Sequence, residues 1–178
     1  MFSLVRAFQK MDPAAKNSWE VFFLYPGFKA IIFHRLAHVC YKFKIPFIHR
    51  LVSEISRFKT GIDIHPGAVL GIDVVIDHGM GTVIGETAVI GNQVLIHQGV
   101  TLGGTEIMQW KQHPNIADDV VLRAGCKILG NICIDEGTRV GANAVVLKDV
   151  PPHSIAVGIP AEIYEKDSAT SKGWNLEY

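Results

Sequence analysis

His78 and His113 are the residues of this chain best suited to acid–base chemistry, because each lies next to a turn-forming residue, Gly79 or Pro114. Asp77 directly precedes His78, and Asp63 lies 15 residues before it. A carboxylate that bonds to one imidazole nitrogen fixes the tautomer and leaves the other nitrogen free as a base. These residues predict a general base at His78. The simpler alternative is a turn histidine that only forms hydrogen bonds.

A zinc site is the competing interpretation, because His97 lies between His78 and His113 in the sequence. A catalytic zinc would need three such ligands and an open coordination position. The chain shows no H-x4-H pair of the kind that binds zinc in some solenoid enzymes, so we expect no metal. For His113 the simpler alternative is a histidine that anchors a loop.

A six-residue period in the apolar residues must position both histidines. It runs through Ile64, Leu70, Ile76, Ile84, Ile90, Ile96, Leu102, Ile116, Leu122, Ile128, Ile134, Val140 and Val146. Self-similarity at this period predicts a β-helix of short strands and turns, in which three rungs make a coil of about 18 residues. The repeated aliphatic side chains are expected to stack inside the coil.

The period breaks at two places, and each break brings in one of the two histidines. The interval from Ile76 to Ile84 is eight residues and includes His78, and the interval from Leu102 to Ile116 is fourteen and includes His113. Solenoids accept insertions at their corners, and such loops often carry function. Asp63 falls in the same predicted coil as His78, near a shared corner.

Residues 1–60 lack the period and show helical spacing instead. Asp12-Pro13 predicts a helix start that opens a helix from Ala14 to about Leu24. Two further helices are predicted, from Pro26 to about residue 43 and from residue 46 to Thr60. The predicted division is a helical N-terminal domain (1–60) that caps the solenoid, a β-helix catalytic domain (61–164) and a flexible tail (165–178).

The composition excludes several classes of function. Lys+Arg and Asp+Glu are both 17, so the basic excess of a nucleic-acid-binding protein is absent. The longest apolar run, near residues 22–33, is interrupted by Pro26 and Lys29 and is too short to span a membrane. We expect no signal peptide, and the three cysteines favour free thiols in a reducing cytoplasm.

Eight segments within residues 10–161 resemble the serine O-acetyltransferases of cysteine biosynthesis, in order and at the family's spacing. They are Asp12-Pro13-Ala14, Gly61-Ile-Asp-Ile-His-Pro66, Asp77-His78-Gly79, Gly85-Glu86-Thr87, Gln98-Gly-Val-Thr-Leu-Gly-Gly-Thr105, His113-Pro114, Lys127-Ile-Leu-Gly-Asn131 and Val145-Val-Leu-Lys-Asp-Val-Pro151. The resemblance implies a left-handed parallel β-helix, an exception to the usual right-handed crossover. It also implies a homotrimer or a dimer of trimers, with sites between neighbouring solenoids.

The activity implied by the resemblance is transfer of the acetyl group of acetyl-CoA to the hydroxyl of L-serine, without a metal. In this family His78 would be the general base, Asp63 its carboxylate partner, and His113 a group that holds the substrate and the tetrahedral intermediate. The implied amino-acid-binding residues are Asp12, Asp63, Asp77, His78, Gln112 and His113. The implied acetyl-CoA-binding residues are Gly103, Gly104, Thr105, Ala124 and Ala142.

The chain departs from the family pattern around the second histidine. Gln112 stands where the family usually has an arginine that grips the substrate carboxylate, and the exchange would cost on the order of 1–2 kcal/mol of binding. Residues 106–111 are predicted to form a more apolar lid, with Lys111 as a replacement charge. The chain ends at Tyr178 rather than at the isoleucine that the family inserts into a partner O-acetylserine sulfhydrylase.

Two other functions remain open from the sequence. One is acetyl transfer to a different hydroxylated acceptor, such as homoserine, a modified serine or a sugar, which Gln112 and the altered loop favour. The other is a scaffold or regulatory subunit that has lost activity. The retention of Asp12, Asp63, His78 and His113 favours an enzyme.

Overall fold

The computed structural model describes residues 2–12, 14–15, 17–105 and 111–165. Helices occupy the first third, and short strands begin immediately after them. The helices are α1 (Phe2–Met11), α2 (Ser18–Leu24), α3 (Pro26–Lys42) and α4 (Ile48–Thr60). The strands are β1 (Asp63–Ile64), β2 (Val69–Leu70), β3 (Val75–Ile76), β4 (Val83–Ile84), β5 (Val89–Ile90), β6 (Leu95–Ile96), β7 (Thr101–Gly103), β8 (Asn115–Ile116), β9 (Val121–Leu122), β10 (Lys127–Leu129), β11 (Cys133–Ile134), β12 (Arg139–Val140), β13 (Val145–Val146), β14 (Ser154–Gly158) and β15 (Ala161–Glu165).

The strands form the three faces of a left-handed parallel β-helix, as predicted. One face contains β1-β4-β7-β10-β13, the second β11-β8-β5-β2, and the third β15-β14-β12-β9-β6-β3. Val83 pairs with Thr101, 18 residues later, whereas Asp63 pairs with Val83 across 20 residues and Thr101 with Lys127 across 26. The two insertions therefore lengthen single coils by two and eight residues without shifting the register.

The periodic aliphatic residues fill the centre of the β-helix. Twelve of the thirteen predicted positions are buried, and Leu70 is partly buried against the same core. The last strand, β15, turns back antiparallel to β14 and ends the solenoid as a hairpin. The predicted apolar lid lies outside the described residues except for Lys111, and the predicted flexible tail lies outside them except for Glu165.

The prediction that Asp12 caps the second helix is wrong. Helix α2 begins at Ser18, and its N-cap is Asn17, whose side chain accepts a hydrogen bond from the Trp19 N–H at 3.0 Å. Asp12 instead accepts from the Ala14 N–H at 2.8 Å and from the Tyr25 hydroxyl at 2.8 Å. A second capping residue five positions downstream leaves the Asp12 carboxylate free for the tyrosine. Helix α1, which precedes Asp12, was not delimited from the sequence.

The helices pack directly on the first coil of the β-helix. Gly27 of α3 lies so close to the backbone carbonyl of Ile76 that a Cβ there would overlap it. In α4, the Ser53 hydroxyl donates to the Ile64 carbonyl at 2.8 Å. Since Ile76 immediately precedes Asp77 and His78, this contact sets the helical region beside the first insertion. None of the described helices combines the length and the apolar character needed to cross a lipid bilayer.

His34 makes the stability of this packing sensitive to pH. Its buried ring bonds through Nε2 to the Ala68 carbonyl at 3.2 Å, and burial lowers its pKa from 6.5 to about 4. Between these two pH values the unfolded chain binds the proton and the folded chain does not. The free energy of unfolding should therefore fall as the pH drops from 6.5 towards 4, by on the order of 2 kcal/mol at pH 5.

Urea unfolding of the wild type and of His34→Gln at pH 7.5 and pH 5 measures this contribution. Burial also lowers the pKa of His65, which contributes in the same direction, so the difference between the two proteins isolates His34. An equal loss of stability in both proteins would contradict the assignment.

Candidate active site

The three faces of the β-helix form a triangular prism, and the residues that could act in catalysis lie on two of its edges. The first, here called the His78 edge, consists of the turns that lead from the third face into the first, at residues 77–82, 97–100, 123–126 and 141–144. The second, the His113 edge, consists of the turns that lead from the first face into the second, including residues 85–88, 104–105 and 111–114. Backbone bonds stack the turns of the His78 edge: Gly99 N–H to Met80 O at 3.0 Å and Gly125 N–H to Gln98 O at 2.9 Å.

Asp77 lies between two histidines on the His78 edge. Its carboxylate oxygens are 3.9 Å from His78 Nε2 and 4.0 Å from His97 Nε2. His97 is held by a bond from Nδ1 to the Leu122 carbonyl at 3.1 Å, which requires the proton on Nδ1. The His78 side chain is 78 % exposed, and its backbone has a φ of 55°. The left-handed conformation projects an accessible imidazole from the turn.

The helical region brings a second acidic group to this edge. The Tyr25 hydroxyl donates to Asp12, and the pKa of Tyr25 is raised to about 12 by burial, by that bond and by the charges of Asp12, Glu20 and Asp77. The negative charges of Asp12 and Asp77 therefore both act on Tyr25. Together they make this part of the edge favourable for a cation. Tyr25 was missed as a site residue, since its position between two helices carries no chemical signal in the sequence.

Asp63 shares the backbone of this edge, but none of the described side-chain hydrogen bonds or ion pairs joins it to His78. Its N–H donates to the Thr82 carbonyl at 2.9 Å, within the insertion that carries His78. Its carboxylate lies 4.0 Å from the Arg57 guanidinium. Among the described ion pairs, the carboxylate next to His78 is Asp77 and not Asp63. The pairing of Asp63 with His78 thus stays a prediction.

On the other edge, Thr87 and Gly85 hold the ring of His113. The His113 Nδ1 lies 2.8 Å from the Thr87 hydroxyl oxygen and accepts from the Thr87 N–H at 3.2 Å. The ring rests on Gly85, where a Cβ would overlap it. Burial and the nearby Lys111 charge lower the pKa of His113, against the opposing effect of Glu86. A neutral imidazole is therefore favoured at this position.

Lys111 is committed to the backbone. Its ammonium donates to the carbonyls of Thr87 at 2.5 Å and His113 at 2.8 Å, and burial lowers its pKa. Two of its three donors are used in this way, so the expectation that Lys111 replaces the family's arginine loses support. Gln112 lies with its side chain against Gly104.

The predicted acetyl-CoA-binding residues divide between the two edges. Gly103, Gly104 and Thr105 end strand β7 and enter the His113 edge, whereas Ala124 and Ala142 belong to the stacked turns of the His78 edge. The first face separates the two groups. A single chain therefore does not bring His78 and His113 together. Within the described parts of the chain, no cluster of three or more His, Cys, Asp or Glu residues could hold a metal ion.

The curated proteins that resemble this chain share one name. No family model matches the chain. It is 53 % identical over 166 residues to the serine acetyltransferase of Helicobacter pylori strain J99, covering 93 % of this chain and 96 % of that protein. It is 55 % identical over 152 residues to the Synechococcus elongatus enzyme of the same name, covering 85 % of this chain but only 62 % of that protein.

Solved structures agree in fold. A soybean serine acetyltransferase complexed with serine matches 91 % of this chain and 67 % of its own, with 42 % identity and a TM-score of 0.89. A Brucella abortus serine acetyltransferase in complex with coenzyme A matches 92 % and 65 %, with 39 % identity and a TM-score of 0.89. The β-helix of six-residue rungs, together with these relatives, places the chain in the class of hexapeptide-repeat acyltransferases. Within that class, the chain belongs to the serine acetyltransferase family.

Proposed function

We propose that this chain transfers the acetyl group of acetyl-CoA to the hydroxyl of L-serine, producing O-acetyl-L-serine for cysteine biosynthesis. The observation that carries the proposal is the His78 edge, where an exposed imidazole adjoins Asp77 and the charge of Asp77 also acts on Tyr25, the partner of Asp12. Relatives of known structure hold serine or coenzyme A, as their descriptions state. The near-complete coverage of the Helicobacter pylori enzyme supports the same activity here.

The complete site requires two copies of the chain. The extended residues from Thr82 to Gly85 that join the two edges span about 10–13 Å, which is longer than a serine molecule. A threefold arrangement of prisms would set the His78 edge of one copy against the His113 edge of its neighbour. The proposed assembly is a homotrimer, or a dimer of trimers, and its grooves would hold acetyl-CoA between Gly103–Thr105 on one side and Ala124 and Ala142 on the other.

In the proposed mechanism His78 removes the proton from the serine hydroxyl. The oxygen attacks the thioester carbonyl carbon and forms a tetrahedral intermediate, whose oxyanion accepts hydrogen bonds from His113 and from backbone N–H groups. Collapse of the intermediate breaks the C–S bond, and the CoA thiolate takes the proton back from His78. Asp63 would orient His78 once substrate is bound.

The charges of the site suit an amino acid. Asp12 and Asp77 would attract the serine ammonium group, because opposite charges a few ångströms apart interact strongly in a partly buried site. Gln112 would bind the carboxylate through its amide, with neutral hydrogen bonds that are weaker than those of a guanidinium.

A second candidate function is acetyl transfer to another hydroxylated acceptor, such as homoserine, a modified serine or a sugar. Two observations favour keeping it. Gln112 is uncharged, and Lys111, the nearest cation in sequence, donates to two carbonyls. Among these acceptors the two observations favour the sugar, which has no carboxylate and would lose little binding free energy where Gln112 is neutral and Lys111 already donates to the backbone.

An acceptor panel tests both candidates. Release of CoA thiol from acetyl-CoA would be followed with L-serine, homoserine, threonine and two sugars, at matched concentrations. The proposed function predicts a kcat/KM for L-serine about 10–200-fold above those of homoserine and threonine, the discrimination that one carbon can supply, and above those of the sugars as well. A better acceptor than serine would favour the second candidate. No turnover with any acceptor would instead favour a scaffold or regulatory subunit.

The remaining parts of the chain have proposed roles as well. The helical domain (1–60) would cap the solenoid and contribute Asp12, and the domain at 61–164 would carry the chemistry. The free cysteines support a cytoplasmic location.

A further inference from the structure

The Thr87 hydroxyl has its hydrogen-bonding capacity fully used at the His113 edge. Its oxygen accepts from the backbone N–H groups of Gln112 and His113, each at 3.1 Å. A threonine hydroxyl has two acceptor lone pairs and one hydrogen. Because both lone pairs are occupied, the hydroxyl cannot accept a third hydrogen bond from His113. It must therefore donate its hydrogen to His113 Nδ1, which lies 2.8 Å away.

The Thr87 backbone confirms the direction of this bond. The Thr87 N–H, which is always a donor, also points to His113 Nδ1 at 3.2 Å. Two donors on one ring nitrogen require that nitrogen to be unprotonated. In the neutral ring the proton then lies on Nε2. Gly85 leaves room for the ring beside this edge.

We propose that Thr87 is a positioning residue that fixes His113 as the Nε2–H tautomer, so that His113 always offers a hydrogen-bond donor to the reacting acyl group or acceptor. Lys111 stabilises this contact, because its ammonium group donates hydrogen bonds to the backbone carbonyls of both Thr87 and His113. Its positive charge also opposes protonation of Nδ1, in agreement with the lowered pKa of His113.

The benefit of this tautomer for catalysis depends on the proposed function. An oxyanion that forms in acyl transfer needs donors in place before the reaction, because reorienting a donor during the reaction costs energy. The opposite tautomer would present the Nε2 lone pair to the developing negative charge. Thr87 thus holds the His113 ring in the Nε2–H tautomer, which can donate a hydrogen bond to the oxyanion.

The test combines NMR and kinetics on the full-length protein. Long-range 15N–1H spectra distinguish protonated from unprotonated ring nitrogens, and His113→Gln assigns the His113 signals. Thr87→Val removes the hydroxyl at nearly constant volume, and Thr87→Ser retains it. We expect unprotonated Nδ1 in the wild type and in Thr87→Ser, and a mixture of tautomers in Thr87→Val. For serine acetylation, kcat should fall about tenfold in Thr87→Val, the effect of one lost hydrogen bond, and stay near the wild-type value in Thr87→Ser.

Several results would overturn the proposal. A protonated Nδ1 in the neutral wild-type ring would do so directly, even if Thr87→Val failed to fold. So would a loss of kcat in Thr87→Val without a change of tautomer, or an equal loss in Thr87→Ser. If the wild type does not acetylate serine, the proposed function fails, but the NMR measurement still decides the tautomer.

Discussion

Replacing His78 with asparagine should lower kcat for acetyl transfer by about 10²–10⁴-fold, the usual contribution of a positioned general base. Asparagine has no group that can take the hydroxyl proton near neutral pH. It also tolerates the left-handed backbone, with its φ of 55° at this position. Because the His78 side chain is mostly exposed, the melting temperature should stay close to that of the wild type.

His153→Asn is the matched control. His153 is also an exposed turn histidine with a positive φ, of 56°, but it precedes β14, away from both active-site edges. It should leave kcat and KM near the wild-type values. Steady-state kinetics with saturating acetyl-CoA and serine compare the three proteins. Wild-type turnover in His78→Asn, or equal losses in both variants, would remove His78 from the proposed mechanism.

Gly85→Ala should have the second largest effect on activity, although Gly85 carries no functional group. The added Cβ would overlap the His113 ring, and the ring is only partly buried, so it can move aside. A displacement of about 1 Å at a catalytic group can cost about 10²-fold in rate. We therefore expect kcat/KM to fall by about that factor, with about 1–3 kcal/mol of destabilisation from overpacking.

Gly67→Ala provides the comparison on the same edge. A Cβ at Gly67 would meet the Glu86 side chain at 3.1 Å, and the Glu86 backbone oxygen and His65 Nδ1 at 3.2 Å each, which are milder contacts than the one at Gly85. The kcat/KM of Gly67→Ala should stay within a few-fold of the wild-type value, since shifts of a few tenths of an ångström in Glu86 and His65 relieve these contacts. Thermal unfolding and kinetics of both variants separate loss of fold from loss of geometry. Unchanged kinetics in Gly85→Ala would show that the position of the His113 ring does not matter.

The β-helix could be predicted closely because one physical rule repeats along it. Each inward position must be apolar and each rung has the same length, so Ile84 and Leu102 could be aligned without coordinates. The intervals around the two insertions also predicted coil lengths that the strand pairing confirms. The same rule says nothing about the helices, where Asn17 rather than Asp12 caps α2.

Side-chain partners at the edges were the part that sequence spacing could not supply. Asp12 meets Tyr25 because the ends of helices α1 and α2 lie close together, and Thr87 meets His113 because two loops of unequal length return to the same edge. Spacing placed Asp63 in the coil of His78, but its carboxylate lies beside Arg57, a residue of the preceding helix. Such pairings depend on the path of each turn, which a hexapeptide period does not encode.

The unchanged register on both sides of the 26-residue coil bears on how this protein can diversify. A loop anchored at both ends by paired strands can change length at a small entropic cost, since doubling a loop adds only about 0.6 kcal/mol to its closure. Mutation can therefore rebuild the segment before His113 while the prism, and the histidines on its edges, stay in place. Changes in this segment can therefore alter the preference for an acceptor while the catalytic histidines keep their positions.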